Sequence, residues 1–98
     1  MEPNPAVVFD TLLAYQRTAA LRAAIEIDLF RALGESPATS SQLATRCRAS
    51  ERGVRILCDY LTTIGMIVKD NGTYSHSPTS QLFLDPRSPA SMANAAAR

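Results

Sequence analysis

The 98-residue sequence has no tryptophan, one histidine, two cysteines and four glycines. Each glycine stands alone, so the chain lacks the glycine-rich loop that cradles a nucleotide phosphate. Cys47 and Cys58 have neither Cys-x-x-Cys spacing nor a histidine nearby, which argues against a metal site and favours two reduced thiols. No apolar stretch reaches about 18 residues without a charge, so the sequence predicts no membrane-spanning helix.

The sequence also lacks an excess of either charge. Ten basic residues against nine acidic ones leave a net charge of +1, whereas dedicated nucleic-acid binders are usually strongly basic. No charged segment followed by an apolar core opens the chain, so we expect no signal peptide and a cytoplasmic location. With 46% hydrophobic residues, the composition is that of one globular domain.

Residues 39–65 predict two helices joined by a turn. Thr39 and Gln42 have the spacing of a capping box, which predicts a short helix over residues 40–46. Ser50 is a good N-cap for a longer helix, and Gly65 is a typical residue just past its end. Apolar residues recur along the longer helix with the period of an α-helix, so they should lie on one side of it and face the core. These residues are Val54, Leu57, Cys58, Leu61 and Ile64.

A β-hairpin should follow these helices. Met66 begins a strand, Asn71-Gly72 is a strong type I′ turn signal, and residues 73–76 form the return strand. Helix, turn, helix and hairpin in this order define a winged helix-turn-helix. The predicted fold class is therefore mainly α, a winged helix-turn-helix with an N-terminal helical arm and a small two-stranded β-hairpin. DNA-binding regulators and other domains share this scaffold, so the fold alone does not decide the function.

The N-terminal segment has helical preference from Pro5 to Leu33, with Asn4 as its cap. Because the segment is long, we expect a bend, or a handover between two helices, near residues 17–18. Asp28 should cap a last short helix that Gly34 closes. Apolar residues cover nearly all sides of the segment, which predicts a partner, most simply a second copy in a two-fold dimer. The residues predicted for the dimer interface are Val7, Val8, Leu12, Leu13, Ala19, Ala20, Ala23 and Ala24.

Two Ser-Pro pairs follow the hairpin. Ser77-Pro78 should begin a short helix through Leu84, and Ser88-Pro89 should begin another that runs to residue 97. We therefore divide the chain into a dimerisation arm (1–34), a winged helix-turn-helix core (35–86) and the start of a linker helix (87–98). Because that last helix has no cap, glycine or polar tail at its end, we expect these 98 residues to be part of a longer protein.

No catalytic constellation is visible in the sequence. His76, the single histidine, needs an oriented partner to act as a general base, and a surface or packing role is favoured. The acidic residues are scattered and show no metal-ligand spacing, so no metal is expected. By itself, the chain is predicted to be non-catalytic.

Four arginines fall within ten positions, around the start of the longer helix, where a regulator would contact DNA. Glu51 and Asp59 would repel phosphates, and Ile56, Tyr60 and Thr63 form a line more typical of a protein docking face. DNA binding is therefore the weaker alternative, with these arginines as its contacts: Arg46, Arg48, Arg52 and Arg55.

Residues 15–47, YQRTAALRAAIEIDLFRALGESPATSSQLATRC, resemble the N-terminal domain of S-adenosylmethionine-dependent O-methyltransferases of the bacterial and plant natural-product type. The resemblance continues through V-R-x-L-x-x-Y-L-x-x-x-G to a hairpin that ends Y-x-x-S-P. In that family the domain is a winged-helix dimerisation module. Its first helices interlock with those of the partner subunit and help to roof the substrate pocket, and a Rossmann-like catalytic domain follows it.

The resemblance implies a homodimer whose parent enzyme uses S-adenosylmethionine and a small-molecule acceptor, with no cofactor bound by this chain. It also suggests that Phe9, Tyr15 and Gln16 contact the substrate, although a core or interface role for Phe9 and Tyr15 is favoured. Two alternatives remain: a winged-helix DNA-binding transcription regulator, and a free-standing dimeric interaction module.

Overall fold

The structure is a computed structural model that describes residues 3–92. Five helices and two strands follow one another in this part of the chain. In order they are α1 (Pro5–Glu26), α2 (Leu29–Glu35), α3 (Ser40–Cys47), α4 (Glu51–Thr63), β1 (Ile67–Asp70), β2 (Thr73–His76) and α5 (Pro78–Phe83).

Helix α1 is one continuous helix of 22 residues. Its start is as predicted, because the Asn4 side chain accepts a hydrogen bond from the backbone N–H of Ala6 and Pro5 occupies the first turn. The expected handover near residues 17–18 is wrong, since no glycine or proline interrupts the helix there. The chain breaks instead at Asp28, which adopts a left-handed φ of 61°.

Helix α2 differs from the prediction at both ends. The side chain of Asp28 makes no capping hydrogen bond, and Gly34 lies inside the last turn because the helix continues to Glu35. Position 34 needs glycine for another reason. A Cβ atom there would lie 2.5 Å from Oδ2 of Asp85 and 3.0 Å from Nη1 of Arg87, so the segment after α5 packs directly on the α2 backbone.

Helices α3 and α4 form the predicted helix-turn-helix. The Thr39 hydroxyl accepts from the N–H of Gln42 at 3.2 Å, and the Gln42 side chain accepts from the N–H of Thr39 at 3.0 Å, which completes the capping box. Ser50 caps α4 by accepting from the N–H of Gly53 at 3.2 Å. Between the helices, Arg48 turns the chain with a left-handed φ of 54°.

The apolar stripe of α4 faces the core. Val54, Cys58 and Leu61 are buried, whereas Leu57 and Ile64 at the edges of the stripe are only half-buried. The larger side chains that pack around the stripe come from α2, α3 and the hairpin: Leu29, Phe30, Leu33, Leu43, Ile67 and Tyr74.

Strands β1 and β2 pair antiparallel along their full length. Asn71 and Gly72 between them have φ values of 50° and 75°, as a type I′ turn requires. Tyr74 also exchanges two backbone hydrogen bonds with Ala38, so the segment before α3 joins the edge of the hairpin. The mainly helical winged helix-turn-helix with a small hairpin is thereby confirmed.

The hairpin is attached to α4 through Tyr74. Its ring is buried and its hydroxyl donates a hydrogen bond to the carboxylate of Asp59 on α4. The Lys69 ammonium donates to the same carboxylate at 2.9 Å and lies 5.1 Å from the centre of the Tyr74 ring.

Helix α5 begins as predicted, with a capping box between Ser77 and Ser80. The helix expected from Pro89 is absent as far as the structure describes the chain, because Pro89 and Ala90 form a turn and Met92 is not helical. The rest of that expected helix, to residue 97, lies outside the described residues.

Candidate functional site

The first part of α1, residues 5–19, lies at the surface of the fold, and from here on the arm means these residues alone. Every residue of the arm is exposed. Six of them carry large apolar side chains that are between 44% and 74% exposed: Val7, Val8, Phe9, Leu12, Leu13 and Tyr15.

Two polar residues of the arm are satisfied within the helix itself. The hydroxyls of Thr11 and Thr18 donate hydrogen bonds to the carbonyls of Val7 and Ala14, at 2.8 and 3.0 Å. These threonines therefore need no water to satisfy their donors, and an apolar surface can cover them at little cost.

An isolated helix as short as the arm is marginal in water, because its nucleation is costly and packing normally supplies its stability. A contiguous exposed apolar surface of this kind usually belongs to an interaction site. The arm therefore has the geometry of a helix that a second protein surface covers.

The structure divides the eight residues predicted for the interface. Five are exposed on the arm and available to a partner: Val7, Val8, Leu12, Leu13 and Ala19. Ala20 and Ala23 are half-buried. Ala24 has no exposed surface and belongs to the core of its own chain, so a partner cannot reach its side chain.

A groove of about 530 Å³ lies between α1 and α4. Its lining residues are Tyr15, Gln16, Ala19 and Ala20 from α1 and Gly53, Ile56, Leu57 and Tyr60 from α4. Small side chains open the groove, aromatic rings and aliphatic side chains form its walls, and a few polar groups lie among them. This is the usual composition of a site for a small organic molecule or an apolar peptide segment.

The groove contains two of the three residues that the resemblance assigned to substrate contact. Tyr15 and Gln16 line it, whereas Phe9 lies farther along the arm, outside the lining residues. Ile56 and Tyr60 of the predicted docking line also face it, and Thr63 lines a neighbouring depression with Leu13 and Tyr60. The sequence reasoning missed Gly53, although a glycine inside a helix is itself a signal of close packing or function.

His76 has a packing role. Its side chain is 8% exposed, Nε2 lies 2.8 Å from the carbonyl of Phe30, and Nδ1 lies 2.7 Å from the hydroxyl of Ser80. Asp85 lies 3.6 Å from Nε2. These three residue types form hydrolase triads elsewhere, but Ser80 has no exposed surface here. The cluster therefore holds β2, α2 and α5 together, and its serine hydroxyl is not accessible to a substrate.

The four arginines of the DNA-binding alternative do not act together. The Arg46 guanidinium donates to the carbonyls of Ala32 and Ser36 at 3.1 and 2.9 Å, and lies 3.7 Å from the Glu35 carboxylate. It holds the end of α2 against α3 and is not available to a phosphate. The other three, Arg48, Arg52 and Arg55, are exposed.

Neither cysteine is an activated nucleophile. Burial raises the pKa of both thiols, that of Cys58 to about 12, with a further contribution from the neighbouring Cys47. Both are free thiols. Within residues 3–92 no group of histidine, cysteine and acidic side chains could hold a metal ion. No helix in the same range is long and apolar enough to cross a membrane.

The profile of one protein family, the O-methyltransferase dimerisation domain, matches residues 9–86. This match covers most of the arm, the rest of α1, α2, the winged helix-turn-helix and α5. The chain therefore belongs to the O-methyltransferase dimerisation domain family.

Two Streptomyces enzymes are among the relatives. The chain is 31% identical over 87 residues to the tetracenomycin polyketide synthesis 8-O-methyl transferase TcmO of Streptomyces glaucescens, covering 88% of this chain and 26% of that protein. It is 32% identical over 71 residues to the N,N-dimethyltransferase OxyT of Streptomyces rimosus, covering 72% and 21%. The chain thus spans about a quarter of the length of the curated relatives it matches.

Solved structures share the fold. A candidate O-methyltransferase of Nostoc punctiforme superposes with a TM-score of 0.85 at 42% identity, over 96% of this chain and 28% of that one. Human N-acetylserotonin methyltransferase, solved with S-adenosylmethionine, also reaches 0.85, at 22% identity and over 99% and 30%. At that lower identity the likeness concerns the fold alone.

Proposed function

We propose that this chain is the dimerising, non-catalytic part of an S-adenosylmethionine-dependent O-methyltransferase that acts on a small molecule. The arm is the observation that carries the proposal. Its exposed apolar residues fit the dimerisation role of the family. Because these side chains are already partly covered in the single chain, burying the rest of one contributes about 1–2 kcal/mol. Six of them per chain supply enough free energy to offset the loss of freedom on association.

The partner is a second copy of the chain. In a two-fold dimer each arm covers either the partner's arm or the partner's body. The same apolar surface is therefore buried on both copies. The net charge of +1 leaves little electrostatic repulsion between two copies. The same arrangement accounts for an apolar helix that has so few contacts within its own chain.

The groove between α1 and α4 is the proposed contribution to the acceptor site of the parent enzyme. Tyr15 and Gln16 offer an aromatic ring and an amide there, and Phe9 on the arm extends the apolar surface. One relative, 30% identical over 85 residues, is the 3-hydroxy-5-methyl-1-naphthoate 3-O-methyltransferase of Streptomyces sahachiroi. A planar aromatic hydroxyl compound is the acceptor class that fits these side chains.

The described residues do not fit S-adenosylmethionine. They contain one two-stranded antiparallel sheet and no glycine-rich turn between a strand and a helix. Cofactor binding and methyl transfer therefore belong to another part of the parent enzyme. Calorimetry should show no heat of S-adenosylmethionine binding to the 98-residue chain, and micromolar binding would contradict this division of labour.

A matched pair of variants tests the dimer. Leu13 on the arm and Val68 on the hairpin are both apolar and both 44% exposed. Leu13→Glu places a charge in the proposed interface, whereas Val68→Glu makes the same change away from it. In sedimentation velocity, Leu13→Glu should shift the protein from dimer to monomer and Val68→Glu should leave the dimer intact. Equal behaviour of the two variants would contradict the proposed interface.

A further inference from the structure

Helix α5 and the segment after it carry an apolar surface that the described part of the chain leaves uncovered. Leu82, Phe83 and Met92 are 49%, 39% and 56% exposed, and we call these three side chains the α5 patch. Leu84, the next residue of the chain after Phe83, is buried in the core instead. A group of large apolar side chains left exposed at one place is typical of a contact surface.

Hydrogen bonds hold the three residues of the α5 patch close together. The N–H of Met92 donates to the carbonyl of Phe83, and the Ser88 hydroxyl donates to the carbonyl of Leu82. The Arg87 guanidinium donates to a carbonyl of α2 at 3.0 Å. The segment from α5 to Met92 is therefore held against α5 and α2, and the chain continues from the patch itself.

The α5 patch is separate from the surfaces described above. Helix α5 packs on α2 and β2, whereas the groove lies between α1 and α4. None of the three patch residues lines the groove or the neighbouring depression beside the arm. The patch is therefore used neither by the proposed dimer nor by the proposed acceptor site.

The small size of the patch indicates what covers it. A stable contact between two free proteins takes about 20–30 residues from each, far more than the patch offers. A domain joined to the patch through the same chain needs much less contact, because the link raises its effective concentration to the order of millimolar. The chain spans only 26% and 21% of the two Streptomyces relatives, so most of each of those proteins lies beyond the matched part.

We propose that the α5 patch docks the part of the parent enzyme that follows this chain. The inference rests on the proposed function, in which that part binds S-adenosylmethionine. A contact at this position holds the cofactor-binding part in one orientation relative to the groove between α1 and α4. Acceptor and methyl donor are then presented to each other in a constant geometry, which methyl transfer requires.

Hydroxyl-radical footprinting read by mass spectrometry tests this contact, because leucine, phenylalanine and methionine are all modified faster when they are exposed. The full-length parent enzyme is compared with the 98-residue chain, so that each residue has the same intrinsic reactivity in both proteins. The patch residues should be modified at least about fivefold more slowly in the parent enzyme, because side chains at the centre of a contact are fully buried.

Three residues outside the patch are the controls. Val68 on the hairpin is 44% exposed, like the patch residues, and should be modified at the same rate in both proteins. Leu43 and Leu61 have no exposed surface. Their protection in both proteins shows that the domain is folded in each.

A pair of variants makes the same test within the parent enzyme alone. Leu82→Asp should raise the modification rates of Phe83 and Met92 at least about threefold, because a carboxylate without a partner cannot be buried in an apolar contact. Val68→Asp makes the same kind of change away from the patch and should leave both rates unchanged. The core leucines should stay protected in both variants.

The proposal is overturned if the patch is modified equally fast in the parent enzyme and in the 98-residue chain, or if Leu82→Asp leaves Phe83 and Met92 protected. It is also overturned if the parent enzyme carrying Leu13→Glu loses this protection as its dimer dissociates, because a second copy then covers the patch. Calorimetry of the parent enzyme tests the proposed function separately. Absence of S-adenosylmethionine binding there would refute that function, whereas the footprint reads the contact itself.

Discussion

Two glycines inside helices have opposite surroundings. A Cβ atom at position 34 would lie 2.5 Å from the Asp85 carboxylate, whereas at position 53 its nearest neighbour would be Ser50 at 3.8 Å. The sequence does not distinguish these positions, because the residue that approaches Gly34 is about fifty positions away along the chain. Only the packed structure shows which glycine is required for stability.

Gly34→Ala should lower the free energy of unfolding by about 1–3 kcal/mol, because the new methyl group forces Asp85 out of its place. Gly53→Ala should raise it by about 0.5–1 kcal/mol, because alanine has the higher helix propensity and fits the available space. Urea denaturation monitored by circular dichroism measures both. Similar changes in the two variants would show that the segment around Asp85 does not pack on α2.

Asp59 gives the stability a dependence on pH. The hydrogen bond from the Tyr74 hydroxyl, and then that from Lys69, hold the pKa of its carboxyl below the usual value. A depressed folded-state pKa stabilises the protein above the unfolded-state pKa of about 3.9, and this stabilisation is lost as the pH falls through the folded-state value. Because Asp59 is 46% exposed, solvent screening keeps the effect below about 1 kcal/mol.

Asp59→Asn should therefore lower the melting temperature at pH 7, and the difference from wild type should shrink as the pH falls below about 4. Asp70→Asn, which changes an exposed carboxylate at the end of the same hairpin, is the control and should alter the melting temperature little at any pH. A difference for Asp59→Asn that stays constant down to pH 2 would contradict the assigned role.

Among the elements, those with local signals were predictable from the sequence. The capping box at Thr39, the apolar stripe of α4 and the Asn71-Gly72 turn all depend on residues within one or two turns, and the structure confirms them. Features that depend on long-range packing were not visible in the sequence. The close contact at Gly34 and the α1–α4 groove are examples, since both involve segments far apart along the chain.

Truncation of the two leucines on α4 tests how the helix faces the core. Leu61 has no exposed surface, so Leu61→Ala should lower the free energy of unfolding by about 2–5 kcal/mol. Leu57 is half-buried and lines the groove, so Leu57→Ala should cost clearly less, about 1–2 kcal/mol. Chemical denaturation of both variants gives the comparison. A larger loss at Leu57 would mean that α4 is rotated relative to the core.

At the scale of the whole molecule, the arm makes the chain elongated. The Cα radius of gyration is 14.5 Å, whereas a compact chain of about 100 residues has about 13 Å. The apolar character of the arm was visible in the sequence, but whether the chain covers its own arm was not. In the structure the body leaves residues 5–19 exposed, and that is the basis of the proposed dimer.

The most direct test of this account is amide hydrogen exchange across the arm, measured over a range of protein concentrations. If a second copy covers the arm, amides of residues 5–19 should be protected at high concentration and should lose protection on dilution as the dimer dissociates. Amides of α3 and α4 should stay protected throughout. Two results would contradict the proposed dimer: arm amides that are equally protected at every protein concentration, and arm amides that are unprotected at every concentration.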